Sequence, residues 1–133
     1  MSSIQTVGIV GAGTMGNGIA QACAVSGIRA VMVDISEAAV QKGLAALQSS
    51  LERLVKKDKL SAADRDAALA RVQGTTDYEA LKSADLVIEA ATENLELKIR
   101  ILRQLDGLLP AETLIATNTS SISITQLAAV TAR

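Results

Sequence analysis

Three glycines, Gly11, Gly13 and Gly16, stand at G-x-G-x-x-G spacing in the stretch VGIVGAGTMGNGIAQA, Val7 to Ala22. Such spacing does chemistry only in context: a strand before it, a helix after it and an acid about twenty residues on. All three are present. Ile4 to Val10 is a short β-branched apolar run, Met15 to Ser26 reads as a helix, and Asp34 closes a second apolar run, AVMV. Gly11 lets the chain turn tightly. Gly13, without a Cβ, lets a pyrophosphate approach the backbone, and Gly16 lets the helix pack closely. The helix start then presents N–H groups to the phosphates. Asp34 can accept hydrogen bonds from both hydroxyls of an adenosine ribose and would repel a 2′-phosphate. Residues 35–41 (ISEAAVQ) contain no Arg or Lys to hold one. The pattern therefore predicts NAD rather than NADP, with FAD a weaker rival. A bare glycine turn or a helix-capping Asp34 would each explain one half of the pattern.

These residues need a frame to hold them. Strand–helix alternation runs along the chain. A long helix is expected from Ser36 to about Lys57, with Val40, Leu44, Leu47, Leu51, Leu54 and Val55 as its apolar stripe. Ser61 with Asp64 resembles a helix-starting cap, and Ala67, Leu69 and Val72 continue a second helix. The pair reads as a helical hairpin inserted between strands two and three. Strands are expected at Val72–Thr76, Asp85–Ala91 and Thr113–Thr117. A helix is expected over Leu95–Leu109, stopped by Pro110, then a polar turn at Asn118–Ser121 and a last helix from Ile124 to Val130. The fold class is α/β, a Rossmann-type doubly wound parallel sheet forming one domain over residues 1–133. Ligands of such sheets bind beyond the C-terminal strand ends, where the strand order reverses.

Composition narrows the possibilities. The 133 residues are 49% hydrophobic, yet Tyr78 is the one aromatic residue. Ala, Val, Ile and Leu must build the core. A net charge of −1 suggests no nucleic-acid partner. The glycine-interrupted N-terminal run suits neither a signal peptide nor a membrane span. The single Cys23 cannot form an internal disulfide, so a cytoplasmic setting is expected, with Cys23 as a small core residue. No metal site is expected. The chain contains no histidine.

The stretches GIVGAGTMGNGIAQ, VMVDIS, LVIEAATENLELK and IATNTSSISIT, in this order, resemble the 3-hydroxyacyl-CoA dehydrogenases, and most closely the bacterial 3-hydroxybutyryl-CoA enzymes. The resemblance implies NAD-dependent oxidation of the 3-hydroxyl of an acyl-CoA, or the reverse reduction. It matches Gly11, Gly13, Thr14, Met15 and Gly16 to the pyrophosphate loop and Asp34 to the ribose acid. Ala90 and Ala91 match backbone beside the cofactor, and Glu93 and Lys98 match positions near the nicotinamide ribose. Without the family, Glu93 and Lys98 read as an exposed helix start. Ser120 matches a serine that contacts the substrate oxygen; on physics alone Ser120 or Ser121 serves equally as a helix N-cap. Ser50 and Lys57 match residues that contact coenzyme A. Arg53 shares their helix face by spacing, and a solvated basic face is the plainer reading of all three.

Removing a hydroxyl proton at neutral pH suits a histidine oriented by a glutamate. The resemblance implies such a histidine in an HFFNP-like segment after the position of Arg133, with its glutamate further on. It also implies a sixth strand and a C-terminal helical domain that forms a homodimer. The expectation is that the sheet is truncated in this chain, and that the chain alone binds NAD without turnover. A β-hydroxyacid dehydrogenase acting on free acids is one alternative, and it would not need the helical hairpin, Ser50 or Lys57. A non-catalytic NAD-binding relative remains the other alternative.

Overall fold

Five strands, β1 (Thr6–Val10), β2 (Arg29–Val33), β3 (Val72–Thr75), β4 (Leu86–Glu89) and β5 (Leu114–Thr117), pair in the order β3-β2-β1-β4-β5, all parallel. The computed structural model describes residues 4–90 and 95–117. The expected turn at Asn118–Ser121 and helix at Ile124–Val130 lie outside the described residues. The strand order reverses between β1 and β4, which places the switch point at the end of β1, where the glycines begin. Val10 stands in register with Val33 on one side and Glu89 on the other.

Helices α1 (Thr14–Val25), α2 (Glu37–Lys56), α3 (Ala62–Ala70) and α4 (Leu95–Leu108) connect the strands. All five residues of β1 are buried, because helices cover both of its faces. On one face Val7, Ile9, Ala30 and Met32 pack with Ala20 and Ala24 of α1 and Leu47 and Leu51 of α2. On the other, Val10, Val31, Val33 and Val87 pack with Ile101, Leu105 and Leu109. The α2 stripe is as its spacing predicts: Val40, Leu47 and Leu51 are fully buried, and Leu44 and Leu54 partly so.

The insert between β2 and β3 is the expected hairpin. The Ser36 hydroxyl accepts the Ala39 N–H at 3.1 Å and the Ser61 hydroxyl accepts the Asp64 N–H at 3.0 Å, so each helix starts on a serine cap. A 3-10 helix, Tyr78–Ser83, joins β3 to β4 and was not expected from the sequence. Asp77 caps it through the Glu79 N–H, and Leu81 is driven fully into the core. Strand and helix ends otherwise differ from expectation by one or two residues. Among the described residues no helix is long and apolar enough to cross a membrane.

Candidate functional site: a dinucleotide cradle at the switch point

The turn out of β1 is built by its glycines. Gly11 has φ +113°, a conformation closed to most side chains, and its N–H donates to the Val33 carbonyl at 2.7 Å. A Cβ on Gly16 would lie 1.8 Å from the Gly11 carbonyl oxygen, so only glycine lets α1 sit this close to the loop. Gly13 is different. A Cβ there would meet nothing within 4 Å. No packing reason excludes a side chain at Gly13, and the open space is what a phosphate approaching the backbone needs. No side chain caps the start of α1 and no acidic residue stands in its first turn, in contrast to α2 and α3. The first N–H groups and the positive end of the helix dipole suit an anion there. Thr14 follows directly, and Met15 is 56% exposed.

Asp34 faces this loop. The Ala12 N–H donates to Asp34 Oδ2 at 2.9 Å and the Ile35 N–H donates to Oδ1 at 2.7 Å. The two backbone donors fix the carboxylate, and its further lone pairs can take ribose hydroxyls. Two cavities flank it. One, of about 290 Å³, is largely apolar, lined by Ile35, Tyr78, Leu97 and Ile101 with Arg100 and Gln104 at its edge. Ile35 is 85% exposed, a large apolar side chain turned to the cleft mouth. Burial pushes the Tyr78 hydroxyl above its ordinary range, and the charges of Asp34 and Glu89 push it further the same way. The other cavity, of about 270 Å³, lies between α1 and α2 and is lined by Gly13, Asn17, Asp34, Lys42 and Ala46 among others.

The structure brings Gly11, Gly13, Thr14, Met15, Gly16 and Asp34 together, and Ala90 joins them through its N–H, which donates to the Val10 carbonyl at 2.9 Å. Ala91, Glu93 and Ser120 lie outside the described residues. Lys98 is not at an exposed helix start. It is fully buried, and its Nζ lies 2.5 Å from Oε1 of the equally buried Glu89 at the end of β4. Its charge is directed to Glu89, beneath the switch point, a residue that the sequence places at the polar end of β4 but gives no partner. Burial follows from the fold: α4 lays its first turns over the end of β4, and two charges can be enclosed there only as a pair. Ser50, Arg53 and Lys57 sit on the second half of α2 and at its C-cap, and none of them lines either cavity. Cys23 is half-buried in α1, where burial pushes its thiol up and away from reactivity.

A glycine cradle on a parallel sheet, an uncapped helix start and a ribose-height carboxylate together define a dinucleotide-binding α/β domain. The family description "3-hydroxyacyl-CoA dehydrogenase, NAD binding domain" matches residues 6–133, and the chain belongs to that family, as its NAD-binding domain. The 3-hydroxyadipyl-CoA dehydrogenase of Escherichia coli (strain K12) is 44% identical over 129 residues, covering 97% of this chain and 27% of that protein. The 3-hydroxybutyryl-CoA dehydrogenase of Clostridioides difficile is 42% identical, covering 94% of this chain and 44% of that protein. The crystal structure of (S)-3-hydroxybutyryl-CoA dehydrogenase PaaH1 from Ralstonia eutropha superposes with a TM-score of 0.96 at 67% identity, over 98% of this chain and 46% of that one. The chain thus spans less than half the length of these relatives.

Proposed function

We propose that this chain is the cofactor-binding part of an NAD-dependent dehydrogenase that oxidises (3S)-3-hydroxyacyl-CoA to 3-oxoacyl-CoA, or reduces acetoacetyl-CoA to 3-hydroxybutyryl-CoA. The observation that carries the reading is the pairing of Asp34 with the Ala12 N–H beside an open Gly13. Bound NAD would supply the hydride acceptor. The chain's own residues do the holding. The first turn of α1 takes the pyrophosphate, Asp34 takes the adenosine ribose, and the cleft of Ile35, Tyr78, Leu97 and Ile101 takes the adenine ring. Ala90, Ala91, Glu93 and Lys98 serve the nicotinamide end, with Lys98 acting through Glu89. Ser120 contacts the substrate oxygen, and Ser50, Arg53 and Lys57 hold coenzyme A.

Hydride loss from a secondary alcohol needs a base near neutrality, and this chain has no histidine. On this reading the histidine–glutamate pair belongs to the rest of a longer, homodimeric cytoplasmic enzyme, and residues 1–133 bind NAD without turnover. Two measurements test this. Asp34→Ala in the full-length enzyme is expected to weaken NAD binding about tenfold or more and to relax the rejection of NADP; unchanged titrations for both cofactors remove the cofactor assignment. Acetoacetyl-CoA reduction with NADH is expected from the full-length enzyme and not from residues 1–133, and a comparable rate from the short chain refutes the division of labour.

A further inference from the structure

The second cavity beside Asp34 contains a cation that the adenosine site does not require. Lys42 lines it, opposite Gly13, Thr14 and Asn17 of the cofactor loop and α1. Lys42 forms no ion pair with Asp34, whose carboxylate is held by the Ala12 and Ile35 N–H groups. No described carboxylate lies within ion-pair distance of Lys42, Arg53 or Lys57. The nearby acids of α2 are occupied otherwise: Glu37 accepts from Gln41 at 2.9 Å and Glu52 from Gln48 at 3.4 Å.

Helical geometry links the three cations. Positions 42, 46, 50, 53 and 57 are spaced by four, four, three and four, so they share one face of α2. Between Lys42 and Arg53 that face carries only Ala46 and Ser50, both small, which leaves a shallow track. Gly43 permits its upper end, since a Cβ there would lie 2.6 Å from the Ala12 carbonyl oxygen and push α2 off the loop. The track runs roughly 22 Å from Lys42 to Lys57 at 1.5 Å per residue, starting at the cofactor loop. A ligand matching it is long, narrow and anionic at more than one point.

We propose that Lys42 is a further substrate-binding residue, which holds the diphosphate of coenzyme A in the groove between α1 and α2. The inference rests on the acyl-CoA reading above and extends it to Lys42, on the α2 side of a cavity that borders the cofactor site at Gly13 and Asp34. A phosphate ester could also come from the cofactor, and the test separates the two sources. In the full-length enzyme, Lys42→Glu is expected to raise KM for acetoacetyl-CoA about tenfold. KM for the phosphate-free thioester acetoacetyl-pantetheine should move by less than about twofold, and NADH affinity measured by equilibrium titration likewise. Lys42→Arg should restore most of the acetoacetyl-CoA KM, because the cation is kept. Equal losses with both thioesters, an effect on NADH alone, or no effect at all would overturn the proposal. If the wild-type enzyme turns over neither thioester, the acyl-CoA reading itself fails, and this inference with it.

Discussion

Replacing Lys98 with methionine keeps most of the side-chain volume and removes one charge. The consequence follows from where the charge sits. Glu89 and Lys98 are both fully enclosed, and their 2.5 Å contact joins the end of β4 to the first turn of α4. Without Lys98, the buried Glu89 carboxylate loses this ion pair. Breaking a buried pair from one side costs about 3–5 kcal/mol, a large part of the roughly 5–15 kcal/mol that holds a domain folded. For 133 residues the unfolding entropy is about 0.28 kcal/mol per degree, so Tm should fall by about 11–18 °C. Glu89→Gln combined with Lys98→Met removes both charges and should be more stable than Lys98→Met alone. Thermal and urea unfolding followed by circular dichroism read both effects. A loss below about 1 kcal/mol for Lys98→Met, or a double variant no better than the single, would refute the buried pair.

The glycines of the loop make opposite predictions. Gly16→Ala drives a Cβ into the Gly11 carbonyl and should cost about 3 kcal/mol or more in urea unfolding. Gly13→Ala meets nothing, so stability should stay within about 1 kcal/mol while NAD titration shows binding lost to the methyl group in the phosphate's place. Acid stability provides a third test. The Gln5 and Thr6 N–H groups donate to the Asp85 carboxylate and hold its titration below the ordinary aspartate range. The stabilisation is complete above the unfolded aspartate value near about pH 3.9 and is lost as pH falls through the folded one. Asp85→Asn should therefore flatten that part of the acid unfolding curve, and an unaltered curve would show that the two N–H bonds contribute nothing.

What the sequence determined by itself was what is local or periodic. The β-branched runs named the strands, the stripe of Val40, Leu44, Leu47 and Leu51, spaced four, three and four apart, named the buried face of α2, and Ser36 and Ser61 marked helix starts. The glycine loop and Asp34 were legible because backbone geometry demands those residue types at those offsets. Tertiary structure decided what depends on elements meeting. In the sequence Lys98, with Glu93, looks like part of a solvated helix start until α4 lies over β4 and encloses Lys98 with Glu89. Tyr78 had no periodic neighbours, and only the 3-10 crossover carries it to the cleft beside Ile35 and Leu97. Lys42 lies one residue past the cation-free stretch 35–41, and the 42–46–50–53–57 spacing on α2 is the sequence signal that links it to Arg53 and Lys57. Short-range steric and hydrogen-bonding rules are written in adjacent residues. Burial of a charge, and the company it keeps, is set by which surfaces the parallel sheet brings together.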